Sequence, residues 1–160
     1  MAADSRLDTL RCLMAEFIKQ SWLFPVIQSI HLIGLTVLVG TIALVDLRLL
    51  GIGRRRYTVA DLGSALASWT SAGLLTVLVT GPLLFGADIA RYLNNPAFLL
   101  KMALLAVALA GHFTLHRSAV RKDATPVCAR QKAIAVLSLI LWSAVVLAGR
   151  AIADFDVRVA

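Results

Sequence analysis

Residues 22–45 read WLFPVIQSIHLIGLTVLVGTIALV, an apolar run that contains no Asp, Glu, Lys or Arg. A helix of this length rises about 36 Å, which exceeds the roughly 30 Å hydrocarbon core of a bilayer. Three further apolar stretches follow at residues 62–85, 97–115 and 133–153, separated by short connections. The sequence therefore predicts an all-α polytopic membrane protein whose four transmembrane helices form an antiparallel bundle.

The composition points to the same class. Of the 160 residues, 59% are hydrophobic and 16% are charged, whereas a soluble domain is about 45–50% apolar and about 25% charged. The net charge of +7 does not indicate nucleic-acid binding, because the basic residues lie between apolar runs and have no zinc-finger spacing. We therefore exclude nucleic acid as a partner and expect a lipid bilayer.

The segments that flank the spans complete the predicted organisation. Residues 1–21 place apolar side chains at helical spacing among charged ones, which predicts an amphipathic interfacial helix. They have no continuous apolar core and no cleavage site, so they do not resemble a signal peptide. Residues 22–153 form the predicted transmembrane domain and 154–160 a C-terminal tail. Within the second span, Gly81 and Pro82 are expected to break or kink the helix.

The basic residues predict the orientation. The loops that follow the first and third spans carry more Lys and Arg than the opposite side. Because such loops remain in the cytoplasm, both termini are expected to face outward. The residues counted in these two loops are Arg48, Arg54, Arg55, Arg56, Arg117, Arg121, Lys122, Arg130 and Lys132.

Polar residues inside the spans define the candidate site. His31 lies about 14 Å below the outer interface, one turn after Gln28. Lys101 and His112 share one face of the third span, and Trp142 lies in the middle of the fourth. Ionisable groups at such depth are costly and typical of functional sites. The alternative for His31 is a packing role, in which it hydrogen-bonds a neighbouring helix.

These residues favour a redox function. A bis-histidine haem needs two imidazoles at similar depth, but His31 and His112 differ by roughly 8 Å, and the second and fourth spans contain no His. His31 is therefore predicted either to ligate the iron of a haem b, together with Met102 or an outside ligand, or to hydrogen-bond a quinone. Lys101 would lie near a propionate or the quinone head, and Trp142 would stack on a ring or fill the core.

We therefore expect a small electron-transfer component that binds haem b or a quinone in the outer half of the bundle. One alternative is a non-catalytic accessory or anchor subunit of a larger membrane complex. A second is a proton- or metal-coupled transporter lined by His31, Lys101 and His112, which would require a homo-oligomer because the chain is small. No nucleophile motif or phosphate-binding loop indicates catalytic residues.

Several motifs resemble an uncharacterised family of small bacterial four-helix membrane proteins. The most specific is Asp-Leu-Arg-Leu-Leu-Gly at residues 46–51, and the others are Phe24-Pro25, Gln28-Ser29, His31, Gly34, Gly40, Asn95-Pro96, Phe98, Lys101 and His116. This resemblance implies the bacterial inner membrane and no particular activity. The chain also resembles four-helix b-type cytochromes at a distance, although its second and fourth spans lack their histidines.

Overall fold

The computed structural model describes residues 22–52, 58–116 and 128–159. The predicted interfacial helix at residues 1–21 lies outside these ranges. The α-helices are α1 (Leu23–Leu49), α2 (Val59–Ala87), α3 (Ile89–Leu93), α4 (Pro96–Gly111) and α5 (Ala129–Val159), and a π-helix (His112–His116) prolongs α4. Within the described ranges the four long segments are long and apolar enough to cross a membrane, and no strand occurs. The predicted all-α polytopic bundle is thus confirmed.

Two helix boundaries differ from those expected. Helix α2 continues through Pro82 to Ala87, so of the expected break or kink at Gly81 and Pro82 the break does not occur; membrane helices tolerate an internal proline. Helix α5 continues to Val159, so the segment predicted as a C-terminal tail is largely helical. There Arg150 and Asp154 form an ion pair with an N–O distance of 3.4 Å, a spacing that supports a helix.

Local side-chain and backbone contacts explain where the helices begin and end. Thr58 and Asp61 form a reciprocal capping box at the start of α2. At the end of α1, Gly51 adopts φ +90°, and the Ile52 and Gly51 amides donate to the Leu47 and Arg48 carbonyls. This is a Schellman ending, which requires a left-handed residue that glycine accepts most readily. It explains the glycine that closes the 46–51 motif.

Helix α1 lies at the centre of the bundle. It packs against α2 over most of its length and also contacts α5, which pairs with α4. The buried core joins three of the spans and consists of Leu38, Ile42, Ala108, Trp142 and Val145. Two antiparallel hairpins, α1–α2 and α4–α5, therefore meet through α1.

Helices α1 and α4 begin at one end of the bundle, where α2 and α5 terminate. We call this the near end, and we call the opposite end the far end. Asn95 joins the start of α4 to α5 at the near end. Its Oδ1 accepts from the Ala97 and Phe98 amides, and its Nδ2 donates to the Ile152 carbonyl at 3.0 Å. The Phe85 ring stacks on Phe98 with centroids 5.5 Å apart. These contacts hold the start of α4 against α5 and against the end of α2.

Candidate functional site

A histidine–threonine contact joins α1 to α2 in the near half of the bundle. His31 is only 8% exposed, and its Nδ1 lies 2.7 Å from the Thr80 hydroxyl oxygen. The Thr80 hydroxyl also donates to the Thr76 carbonyl one turn earlier, at 2.6 Å. Within the described parts of the chain, the contact of Nδ1 with Thr80 is the hydrogen bond that the His31 ring makes, and Nε2 makes none. The imidazole is therefore held in place by one nitrogen, and the other is available.

Close approach of the two backbones creates this contact. A Cβ added to Gly73 would lie 2.9 Å from the Gly34 carbonyl oxygen and 2.8 Å from the Leu38 nitrogen. Glycines at both positions therefore let α1 and α2 cross almost in backbone contact. His31 and Gly34 both face α2, because His31 contacts Thr80 and a Cβ added to Gly34 would lie 2.6 Å from Thr76 Cγ2. The crossing thus brings the imidazole within hydrogen-bond distance of α2.

Lys101 supplies a positive charge beside His31 from α4. Its ammonium interacts electrostatically with the His31 ring. The end of the side chain lies over Gly149 of α5, where an added Cβ would be 3.5 Å from both Cε and Nζ. Lys101 is half-buried, and no ion pair of this ammonium occurs in the described ranges. The charge is thus held in the bundle by packing of its alkyl stem.

All four spans contribute to one level of the bundle. Counted from the near end of each span, Lys101 lies about 7.5 Å deep, Gly149 about 9 Å, Thr80 about 10.5 Å and His31 about 12 Å. We call these residues the near-end layer: His31, Thr80, Lys101 and Gly149. The layer combines an imidazole nitrogen with a lysine side chain, and both can hydrogen-bond a ligand that bears oxygen atoms.

The other predicted site residues lie elsewhere. Gln28 is exposed on the surface of α1 and stays outside the near-end layer. His112 lies about 24 Å from the start of α4, which separates it from His31 by about 12 Å in depth. Of the predicted residues, His31 and Lys101 thus lie at a similar depth, whereas Gln28 faces the surface and His112 lies deeper in the bundle.

His112 and Trp142 line a small cavity between α4 and α5. Its volume is about 20 Å³, and Ser138 also lines it. This is room for about one water molecule, so neither a haem nor a quinone ring fits there. Trp142 is 2% exposed and belongs to the buried core. Its packing matches the core-filling alternative that the sequence allowed.

Thr80 and Gly149 are the members of the layer that sequence reasoning did not select. Both lie in stripes of small and hydroxyl residues that predict close helix packing. Such a stripe does not reveal which of its hydroxyls meets the histidine of another helix. The stripe marks Thr80 as a residue at a helix interface, but only the pairing of α1 with α2 identifies it as the partner of His31.

The fold defines a multi-pass four-helix membrane protein whose near-end layer contains a buried histidine and a half-buried lysine. The profile of a family of unknown function, DUF6644, matches residues 22–155, and the chain belongs to this family. The match covers all four spans, in agreement with the predicted membership of an uncharacterised family. Searches among curated proteins and among solved structures each found no match.

Proposed function

We propose that this protein is a membrane electron-transfer component that binds the head group of a quinone in the near-end layer. The observation that carries the proposal is the His31 ring, which is fixed by Thr80 through Nδ1 and keeps Nε2 without a hydrogen bond in the described residues. A packing histidine satisfies both of its polar nitrogens where it can, because unpaired polar groups in a membrane are costly. A ligand with a polar oxygen would complete this site.

Charge and burial make a quinone the best match. A quinone is apolar apart from its oxygens, so it reaches the layer from the hydrocarbon phase. The Lys101 ammonium would donate to one of these oxygens, and a hydrogen bond to a charged donor is stronger than a neutral one. The same cation would stabilise the negative charge that develops on the oxygen during reduction.

A haem b is the second candidate, with His31 as its single protein ligand. One observation favours it: a metal-bound imidazole usually donates its other N–H to a protein acceptor, and Thr80 is placed to accept. Within the described residues no group of three or more His, Cys, Asp or Glu could hold another metal ion. The depth of His112 argues against a second histidine ligand.

The proposed setting is the bacterial inner membrane, with the near end facing outward. The distribution of Lys and Arg supports this orientation, because the loop after α1 and the loop before α5 are both basic. A larger membrane complex or a second copy would supply the electron partner, since the described layer offers one binding position. These assignments belong to the same proposal.

Two measurements on one preparation test the proposal. The protein is purified from bacterial membranes in mild detergent, its lipids are extracted and their quinones quantified, and an oxidised-minus-reduced visible spectrum is recorded. We expect quinone near one per chain in the wild type and a loss of more than about tenfold in His31→Ala and Lys101→Met, since each removes one polar partner. A Soret shift that His31→Ala abolishes would instead establish the haem candidate.

Gln28→Ala is the matched control, because Gln28 lies on the same helix one turn away but is exposed. Its quinone content should equal that of the wild type. Circular dichroism and gel filtration confirm that each variant is folded. Well-folded wild-type protein with neither quinone above the level of empty detergent micelles nor a haem spectrum would refute the redox proposal.

A further inference from the structure

The hydrogen bonds around Thr80 determine which proton His31 carries. A threonine hydroxyl has one hydrogen to donate and lone pairs to accept with. Thr80 donates that hydrogen to the Thr76 carbonyl, since a carbonyl offers no hydrogen in return and the O–O distance is 2.6 Å. The bond between Thr80 and His31 Nδ1 must then run the other way, with Nδ1–H as the donor.

This direction defines the second nitrogen of the ring. In a neutral imidazole, one nitrogen donates and the other accepts. With the proton on Nδ1, Nε2 is a bare acceptor, and it makes no hydrogen bond in the described residues. Lys101 carries three N–H donors, but no hydrogen bond from its ammonium to Nε2 occurs in the described residues, so this acceptor stays open for a ligand.

We infer that the near-end layer selects the reduced, hydroxyl-bearing form of its ligand over the oxidised, carbonyl-bearing form. This inference rests on the proposed quinone function and names the redox state that the site prefers. A quinol hydroxyl donates to Nε2 and accepts from the Lys101 ammonium with the same oxygen. A quinone carbonyl accepts from Lys101 equally well, but it directs a lone pair at a nitrogen that has no hydrogen.

Thr80 is a positioning residue in this account, because it acts on the ligand only through the tautomer of His31. Thr80→Ser keeps a hydroxyl that can accept from Nδ1, whereas Thr80→Val has nearly the same shape and no acceptor. In Thr80→Val the proton is free to move to Nε2, where it can donate to a carbonyl. The preference for the reduced form should therefore survive the first substitution and disappear in the second.

The test combines a ligand-free and a ligand-bound readout on full-length protein in nanodiscs. ¹⁵N NMR of histidine-labelled protein, with His31→Asn used to assign the signal, reports which ring nitrogen carries the proton. Dissociation constants for a short-chain ubiquinol and the matching ubiquinone are then measured by calorimetry against empty nanodiscs. We expect an Nδ1–H signal and about tenfold tighter binding of the quinol, the size of an unsatisfied hydrogen bond.

The outcomes separate the two proposals. An Nε2–H tautomer or equal affinities for the two forms in the wild type would overturn the redox-state preference while leaving quinone binding in place. An unchanged ratio in Thr80→Val would overturn the positioning role of Thr80. Failure of both forms to bind folded wild-type protein would overturn the proposed function and this preference with it. Thr80→Ser, the matched control, should give the wild-type ratio.

Discussion

The crossing of α1 and α2 at Gly73 allows a quantitative prediction. In Gly73→Ala the new Cβ would lie 2.8 Å from the Leu38 nitrogen, and ordinary contacts begin near 3.4 Å, so the helices must separate by about 0.6 Å. Backbone atoms cannot turn aside as a flexible side chain can. The same separation would stretch the 2.7 Å contact between His31 and Thr80 to about 3.3 Å, at the limit of a hydrogen bond.

We expect Gly73→Ala to lower the free energy of unfolding by about 1–3 kcal/mol, the cost of overpacking. The matched control is Gly40→Ala on α1, where an added Cβ meets nothing within 4 Å. The free energy of unfolding of this control should be unchanged or rise by up to about 1 kcal/mol, because alanine favours a helix more than glycine does. The assay is unfolding by SDS titration, followed by circular dichroism. Equal stability of the two alanine variants would refute the close-crossing argument.

Three other substitutions test separate features of the fold by the same assay. Asn95→Asp keeps the cap on α4 but loses the amide donor to the Ile152 carbonyl. We expect the free energy of unfolding to fall by about 1–3 kcal/mol. An unchanged stability would contradict a stabilising role for this hydrogen bond between α4 and α5. Gly51→Ala places a Cβ at φ +90° and should cost about 1–2 kcal/mol, whereas Gly86→Ala, in open space, should cost nothing. Ser138→Ala removes a buried hydroxyl that has no hydrogen-bond partner in the described residues. Its stability should stay equal or rise, and a loss of more than about 1 kcal/mol would show that a bound water supports this hydroxyl.

Hydropathy was sufficient to predict the spans, because a bilayer forces apolar helices of a minimum length. The boundaries were less accurate, since they depend on local hydrogen bonds. Thr58 starts α2 earlier than the apolar run does, and Gly51 ends α1 only after the charged Asp46 and Arg48. Asp46 is 0% exposed, so its charge did not mark the end of the buried helix.

The site was predictable only in part. His31 and Lys101 stand out because ionisable residues inside a span are rare and costly. Helical spacing alone placed Gln28 beside His31, but a difference of three residues rotates a side chain by about 60°, enough to leave Gln28 exposed. The partner of His31 depends on the register of α1 against α2, which the Gly34 and Gly73 contacts set. The register of α1 against α2 cannot be predicted from a single sequence.

Photolabelling shows directly whether the ligand lies between His31 and Lys101. An azido-substituted short-chain quinone is irradiated with the protein in native membranes, and the labelled peptides are mapped by mass spectrometry with unlabelled quinone as competitor. We expect competed labelling of the α1 and α4 peptides that carry His31 and Lys101, and loss of this labelling in His31→Ala. Competed labelling confined to the far end around His112 and Ser138, or equal labelling of His31→Ala, would contradict it.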